Sequence, residues 1–236
     1  MAQMGEVSRR LCLAADARGY GRGNDLHQIS IQRYLLEVMC DAAESVGLDR
    51  VHWHRQQGGD SEFAVLPAGT SEKVVVDQFV RELAACLARH NSMLREELRL
   101  RLRLAIHFGR VVPAANGHAG PALVELARIL DSSELHAVLD ANPAEDIAVA
   151  LSDRVYEDTI QPGHTTHRAQ DFRRVTIAKK EYTGTAWLWS PREGGPGPGD
   201  VAADPGPRPA PSPASVHTTV NGAVHGQSVV FGIQNG

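Results

Sequence analysis

HRQQGGDSEFAVLP, His54–Pro67, is the stretch on which the reading of this chain turns. Residues suited to strands flank Gly58-Gly59-Asp60, and glycine and aspartate favour tight turns for conformational reasons alone. The spacing predicts strands over Val51–Gln57 and Ser61–Leu66, joined as a hairpin with Asp60 at its tip. An acidic residue there either only makes the turn or also holds a ligand.

Upstream, Arg10–Ala15 reads as a short apolar strand ending at Asp16, followed by the glycine-rich loop RGYGRGND. Gln28–Val46 has helical spacing, with Ile31, Leu35, Val38 and Ala42 on one face and Gly47 as its stop. Downstream, Glu72–His90 is helical through Val75, Phe79, Leu83, Ala84 and Leu87. LRLRLRLAIHFG alternates strictly from Leu98 to Leu104, a strand with a leucine face and an arginine face. Pro121–Leu139 is helical with a break near Asp131-Ser132-Ser133, Ile147–Leu151 is a strand, and Phe172–Ala178 with Thr185–Trp189 forms a closing hairpin. That order predicts an α+β sheet with helices packed on one face.

Composition narrows the function classes. A net charge of −4 gives no reason to expect a nucleic-acid or membrane partner. No apolar run is long enough to span a bilayer, and the first residues lack a signal-peptide pattern. Cys12, Cys40 and Cys86 are widely spaced among apolar residues and read as buried reduced thiols of a cytoplasmic protein. Three segments follow from composition. Residues 1–190 carry the regular patterns, 191–214 are a Pro/Gly-rich linker expected to be disordered, and in 215–236 apolar β-formers return.

Asp16 and Asp60 are the candidate metal ligands. If their strands are neighbours, both carboxylates emerge at one sheet edge, and Mg²⁺ is commonly held by one or two carboxylates plus substrate phosphates. The plainer alternative is that Asp16 caps a loop and Asp60 makes a turn. The surrounding motifs decide for chemistry: LAADARGYG after a strand, GGDSEFAVLPAG opening one, LAIHFG ending one, and GPALVELARILDS on a helix. In that order they resemble the class III nucleotide cyclase catalytic domain, nearest to divergent cyclase-like domains of actinobacteria, over roughly residues 8–191. The resemblance implies a ferredoxin-like core that dimerises, with sites shared between two subunits. It implies Mg²⁺ or Mn²⁺ at Asp16 and Asp60, a nucleoside triphosphate near Gly19, Tyr20, Gln56, Gly59 and Lys179, and Arg128 as the catalytic arginine. Lys180 is the alternative to Lys179.

The chain departs from that pattern in one half. The family's purine-selecting lysine is Gln56 here, no acid stands in NGHAG, and the asparagine that orients the ribose is Val124. A valine methyl cannot make that hydrogen bond, and losing one preorganised polar contact costs about 10²–10³ in rate. Three functions fit: a nucleotide and metal sensor with little turnover, a half-site completed by a different cyclase-like chain, or a slow cyclase of non-purine preference. A non-catalytic dimerisation scaffold is the remaining alternative. Outside this site, Arg18 and Arg22 read as solvated loop arginines. The Arg99, Arg101 and Arg103 stripe reads as a solvated face, or as one meeting a partner or nucleotide. His52 and His54 are placed on one strand face without a third zinc ligand, and Trp187 and Trp189 read as packing.

The tail TVNGAVHGQSVVFGIQNG interleaves glycines with Val224, Val229, Val230 and Ile233 and carries no Asp, Glu, Lys or Arg. Such a segment can stack as in-register strands. It resembles bacterial amyloid signalling motifs, relatives of the RIP homotypic interaction motif. The resemblance implies recruitment of an effector or sensor protein with a matching motif, in a defence or programmed-response pathway.

Overall fold

The structure, a computed structural model, describes residues 7–192 apart from residue 116. The linker and the tail, with Val224, Val229, Val230 and Ile233, lie outside the described residues.

The first strand, β1 (Ser8–Ala17), is buried on both faces and lies inside the sheet. It pairs antiparallel with β3 (Ser61–Val65) on one side and with β4 (Leu102–Ala114) on the other. β2 (His54–Gly58) forms the hairpin with β3, while β6 (Ile147–Ser152), β8 (Tyr182–Trp189) and β7 (Arg173–Lys179) extend the sheet beyond β4. The order is β2-β3-β1-β4-β6-β8-β7, with β4 and β6 parallel and the short β5 (Gly117–Ala119) added to β4.

Alternation sorts each strand between two cores, because successive side chains point to opposite faces. Leu11, Leu13, Ala15 and Ala17 of β1 join Leu102, Leu104 and Ile106 of β4 under α1 (Asp25–Ser45) and α2 (Val80–Asn91). That core continues into α5 (Asp153–Thr159) through Val155 and Tyr156. Cys12, Ala14 and Ala105 face the other way, under α3 (Pro121–Leu130) and α4 (Ser133–Ala141). The α+β class therefore holds, and the layer of helices expected on one face is joined by a second layer, α3 and α4, on the opposite face. Small residues at Ala14, Ala105, Ala148, Ala150 and Ala186 let that second layer approach the sheet.

Local chemistry sets several boundaries. Asn24 caps α1, its side chain accepting the main-chain N–H of His27. A wider helical turn, Val74–Phe79, leads directly into α2. Ser132 separates α3 from α4 by capping the second helix, at the break the sequence predicts. Gly120 starts α3 with φ 131°, and a Cβ there would lie 2.7 Å from the Arg110 carbonyl oxygen. Trp187 stacks on Tyr156 at 3.6 Å and Trp189 meets His167 edge-on, both as packing.

Several expectations need correction. β4 begins at Leu102 rather than Leu98 and runs on past Gly109. His52 belongs to a short turn before β2, so His52 and His54 do not share a strand. The three thiols are free, but Cys40 is exposed while Cys12 and Cys86 are buried. No helix among the described residues is long and apolar enough to cross a membrane.

Candidate functional site

The hairpin turn between β2 and β3 has only two residues, Gly59 and Asp60, since Gly58 pairs with Ser61. Gly59 takes φ 50° and Asp60 keeps an ordinary negative φ, the arrangement of a turn with glycine first. The Asp60 carbonyl accepts the Ala17 N–H at 2.8 Å, and Asp16 pairs with Ser61 across β1 and β3. Register alone thus brings Asp16 and Asp60 to one sheet edge, as the sequence predicts. Tyr20 closes this edge: its hydroxyl accepts from Gln32 Nε2 at 2.6 Å and lies against Gly59. Gly19, at φ 85°, turns the chain between Asp16 and Tyr20.

Asp16 is not a free carboxylate. Arg103, its cross-strand neighbour on β4, donates through Nε and Nη2 at 2.8 and 2.7 Å to its two oxygens. Even so, burial pushes the Asp16 carboxyl up to about 6 against the pull of Arg103, and the nearby Asp60 and Asp131 carboxylates push the same way. The rest of the arginine stripe is also taken up rather than solvated. Arg99 binds Asp146 at 2.5 Å. Arg101 donates to the carbonyls of Leu139, Asn142 and Glu145 at 2.7 Å each. Arg18 binds Asp140 at 2.8 Å.

Mg²⁺ and Mn²⁺ take hard oxygen ligands. Among the described residues no three His, Cys, Asp or Glu side chains converge as a ready ligand set. The pair Asp16 and Asp60 nevertheless fits such an ion. Two carboxylates at one edge repel each other, and a cation relieves that repulsion. Arg103 relieves it here and has to give way to an ion.

The other sequence-predicted residues fall in two places. Gln56 lies on exposed β2 beside a cavity of about 170 Å³ lined by His54, Phe63, His118 and Leu123. His54 and His118 meet edge-on at 4.7 Å there, and burial lowers the His118 imidazole below its ordinary range, with His54 adding to the effect. Val124, at the position of the missing asparagine, is 46% exposed and presents only methyls to solvent. Arg128 pairs with neither Glu125 nor Asp131, its nearest acids along the helix. It donates to Glu181 at 2.8 Å, while Glu125 lies 3.7 Å from His107 and Asp131 binds Lys179 at 2.7 Å. Lys180 sits in the β7–β8 turn with φ 52°.

Two polar groups escaped the sequence reading. Glu62, buried beneath the hairpin, is ion-paired with Arg50, which also donates to the Leu36 carbonyl at 3.4 Å and stacks on Trp53. Strand alternation, which puts Glu62 on the same face as the buried Ala64, was the available signal. Asp77, buried in the wide turn Val74–Phe79 before α2, accepts both the N–H and the hydroxyl of Thr166, at 3.0 and 2.6 Å.

Solved structures share this architecture. An adenylate/guanylate cyclase/hydrolase from Silicibacter pomeroyi superposes with a TM-score of 0.56 at 20% identity, covering 79% of this chain and 98% of that one. The guanylyl cyclase Cya2 gives 0.54 at 15% identity, with coverage of 80% and 93%. A bacterial light-regulated adenylyl cyclase gives 0.51 at 11% identity, with coverage of 77% and 90%. The chain has the nucleotide cyclase fold. At these identities the likeness is one of fold. No protein-family model matches the chain, and no curated protein matches it. On the cyclase fold Asp16 and Asp60 sit together at the end of β1 and the tip of the β2–β3 hairpin, while Arg128 on α3 and Lys179 at the end of β7 each pair across between α3 and the β7–β8 turn.

Proposed function

We propose that this cyclase-fold domain binds a nucleoside triphosphate with Mg²⁺ or Mn²⁺ in a signalling role, with turnover that is low or dependent on a second cyclase-like chain. The observation that carries this reading is the convergence of Asp16 and Asp60 at one sheet edge, opposite the loop of Gly19 and Tyr20. A divalent ion there would supply positive charge to the phosphates. The chain's own part is to hold the two carboxylates in register, to close the edge with Tyr20, and to release Asp16 from Arg103. Arg128 and Lys179 would meet phosphate oxygens, the guanidinium through paired donors. Val124 leaves the ribose without a hydrogen-bonding partner on α3, which is why slow chemistry, or chemistry completed by a partner's asparagine, is part of the proposal. Gln56 in a cavity with His54 and His118 lacks the charged pair that selects a purine, so a non-purine base is the preference proposed. The tail at Val224, Val229, Val230 and Ile233 would recruit an effector or sensor with a matching motif.

A dimerisation scaffold is the second reading. The bidentate Arg103–Asp16 pair favours it, since Arg103 satisfies both carboxylate oxygens of Asp16. Calorimetry with all four nucleoside triphosphates and Mn²⁺, on the wild type and on Asp16→Ala/Asp60→Ala, separates the two. Metal-dependent binding lost in the variant supports the nucleotide reading; no binding by either protein supports the scaffold.

A further inference from the structure

Two ion pairs tie α3 to the β7–β8 turn, and they are reciprocal. The helix end supplies Arg128 and Asp131, and the turn supplies Glu181 and Lys179. Arg128 donates to Glu181 at 2.8 Å, and Lys179 Nζ lies 2.7 Å from Asp131 Oδ2 while also donating to the Asp131 main-chain carbonyl. Lys180 between them has the only positive φ of any non-glycine among the described residues, a conformation that disfavours side chains other than glycine.

The two cations and the two acids are held differently. The Arg128 and Lys179 side chains are 20% and 32% exposed, whereas those of Glu181 and Asp131 are 65% and 61% exposed. The cations are seated in the fold and the acids cover them from the solvent side. Arg128 Nε is buried without a hydrogen-bond partner. Ion pairs with partners this exposed are weak in water, so an incoming polyanion has little to break. A polyphosphate offers several acceptor oxygens and more charge than one carboxylate, and both favour exchange at an arginine.

We propose that Glu181 and Asp131 form a clasp that masks a polyphosphate site made of Arg128 and Lys179, and that a polyphosphate-bearing ligand opens it. The proposal deepens the nucleotide reading and rests on it for the choice of ligand. Asp131 also lies within electrostatic reach of Arg103 and Asp16.

The test uses the full chain and inorganic tripolyphosphate without metal, so that Asp16 and Asp60 are not needed. Binding is measured by calorimetry on the wild type, Glu181→Gln, Asp131→Asn and the double variant, each with and without Arg128→Ala/Lys179→Ala. Removing both clasp charges is expected to tighten tripolyphosphate binding about 2- to 30-fold. Arg128→Ala/Lys179→Ala is expected to abolish binding in every background. Either single clasp variant serves if the other fails to fold. Binding no tighter in the clasp variants, binding that survives loss of both cations, or no binding by any protein overturns the clasp. Failure of metal-dependent nucleotide binding with a working clasp would instead overturn the nucleotide reading and leave a site for another polyanion.

Discussion

Asp16 carries more of the account than any other residue, and its titration gives the first prediction. Its carboxyl rises from an ordinary 3.8 to about 6 in the fold. The folded chain holds that proton to higher pH than the unfolded chain, so the stability this group contributes is full below about 4 and is lost as pH rises through about 6. A divalent ion binds only the ionised carboxylate. Thermal melting with and without Mn²⁺ should therefore show little metal effect at pH 5 and a clear rise in Tm at pH 8; an equal effect at both, or none at either, contradicts a metal at Asp16. Glu62 gives the second prediction. It is fully buried against Arg50, and removing one member of a buried pair strands the other charge. Glu62→Ala should lose about 3–5 kcal/mol in denaturant unfolding, whereas a loss under 1 kcal/mol would mean that water reaches Arg50. Burial also pulls the His107 imidazole down to about 4, so this side chain beneath α3 stays neutral at physiological pH and takes no part in a proton switch.

At the scale of elements, the parts that were legible in the sequence are those whose signal is local. The β2–β3 turn follows from Gly59 and Asp60, the α3–α4 break from Asp131-Ser132-Ser133, and α1 from its apolar face of Ile31, Leu35, Val38 and Ala42. What was not legible depends on distant partners. Strict alternation over Leu98–Leu104 reads as one strand, yet Arg99 and Arg101 are drawn to the carbonyls and carboxylate of the 139–146 segment and β4 begins only at Leu102. The second helical layer rests on alanines in β1, β4 and β6, which no periodicity distinguishes from ordinary strand residues. The placement of Asp16 and Asp60 at one edge was legible because a hairpin tip and a strand end are visible in sequence; the pairing of Arg103 with Asp16 was not, because it is set by sheet register. The α2 segment gives the third prediction. Phe79 is fully buried against Trp53, with ring centroids 5.9 Å apart. Phe79→Ala should cost about 3–5 kcal/mol by urea unfolding; a change below 1 kcal/mol would show that α2 does not pack on this face.

For the whole molecule, the fold provides two charged poles and closes each one internally. Arg103 closes the Asp16 pole, and the Glu181 and Asp131 clasp closes the Arg128 and Lys179 pole. A domain arranged in this way is expected to stay shut until a ligand carrying both a metal and a polyphosphate exchanges these pairs. Salt sharpens the point, because exposed pairs are screened and buried ones much less so. Tripolyphosphate binding should weaken steeply between low and high ionic strength, while the stability of the metal-free domain should change little. The most direct test of the central claim is calorimetric titration of nucleoside triphosphates with Mn²⁺ at pH 8 into the full chain and into Asp16→Ala/Asp60→Ala, with the products identified by mass spectrometry. The account predicts metal-dependent binding that the double substitution abolishes, with little or no cyclic product from the chain alone. Binding that survives without both carboxylates, or no binding by either protein, would contradict it.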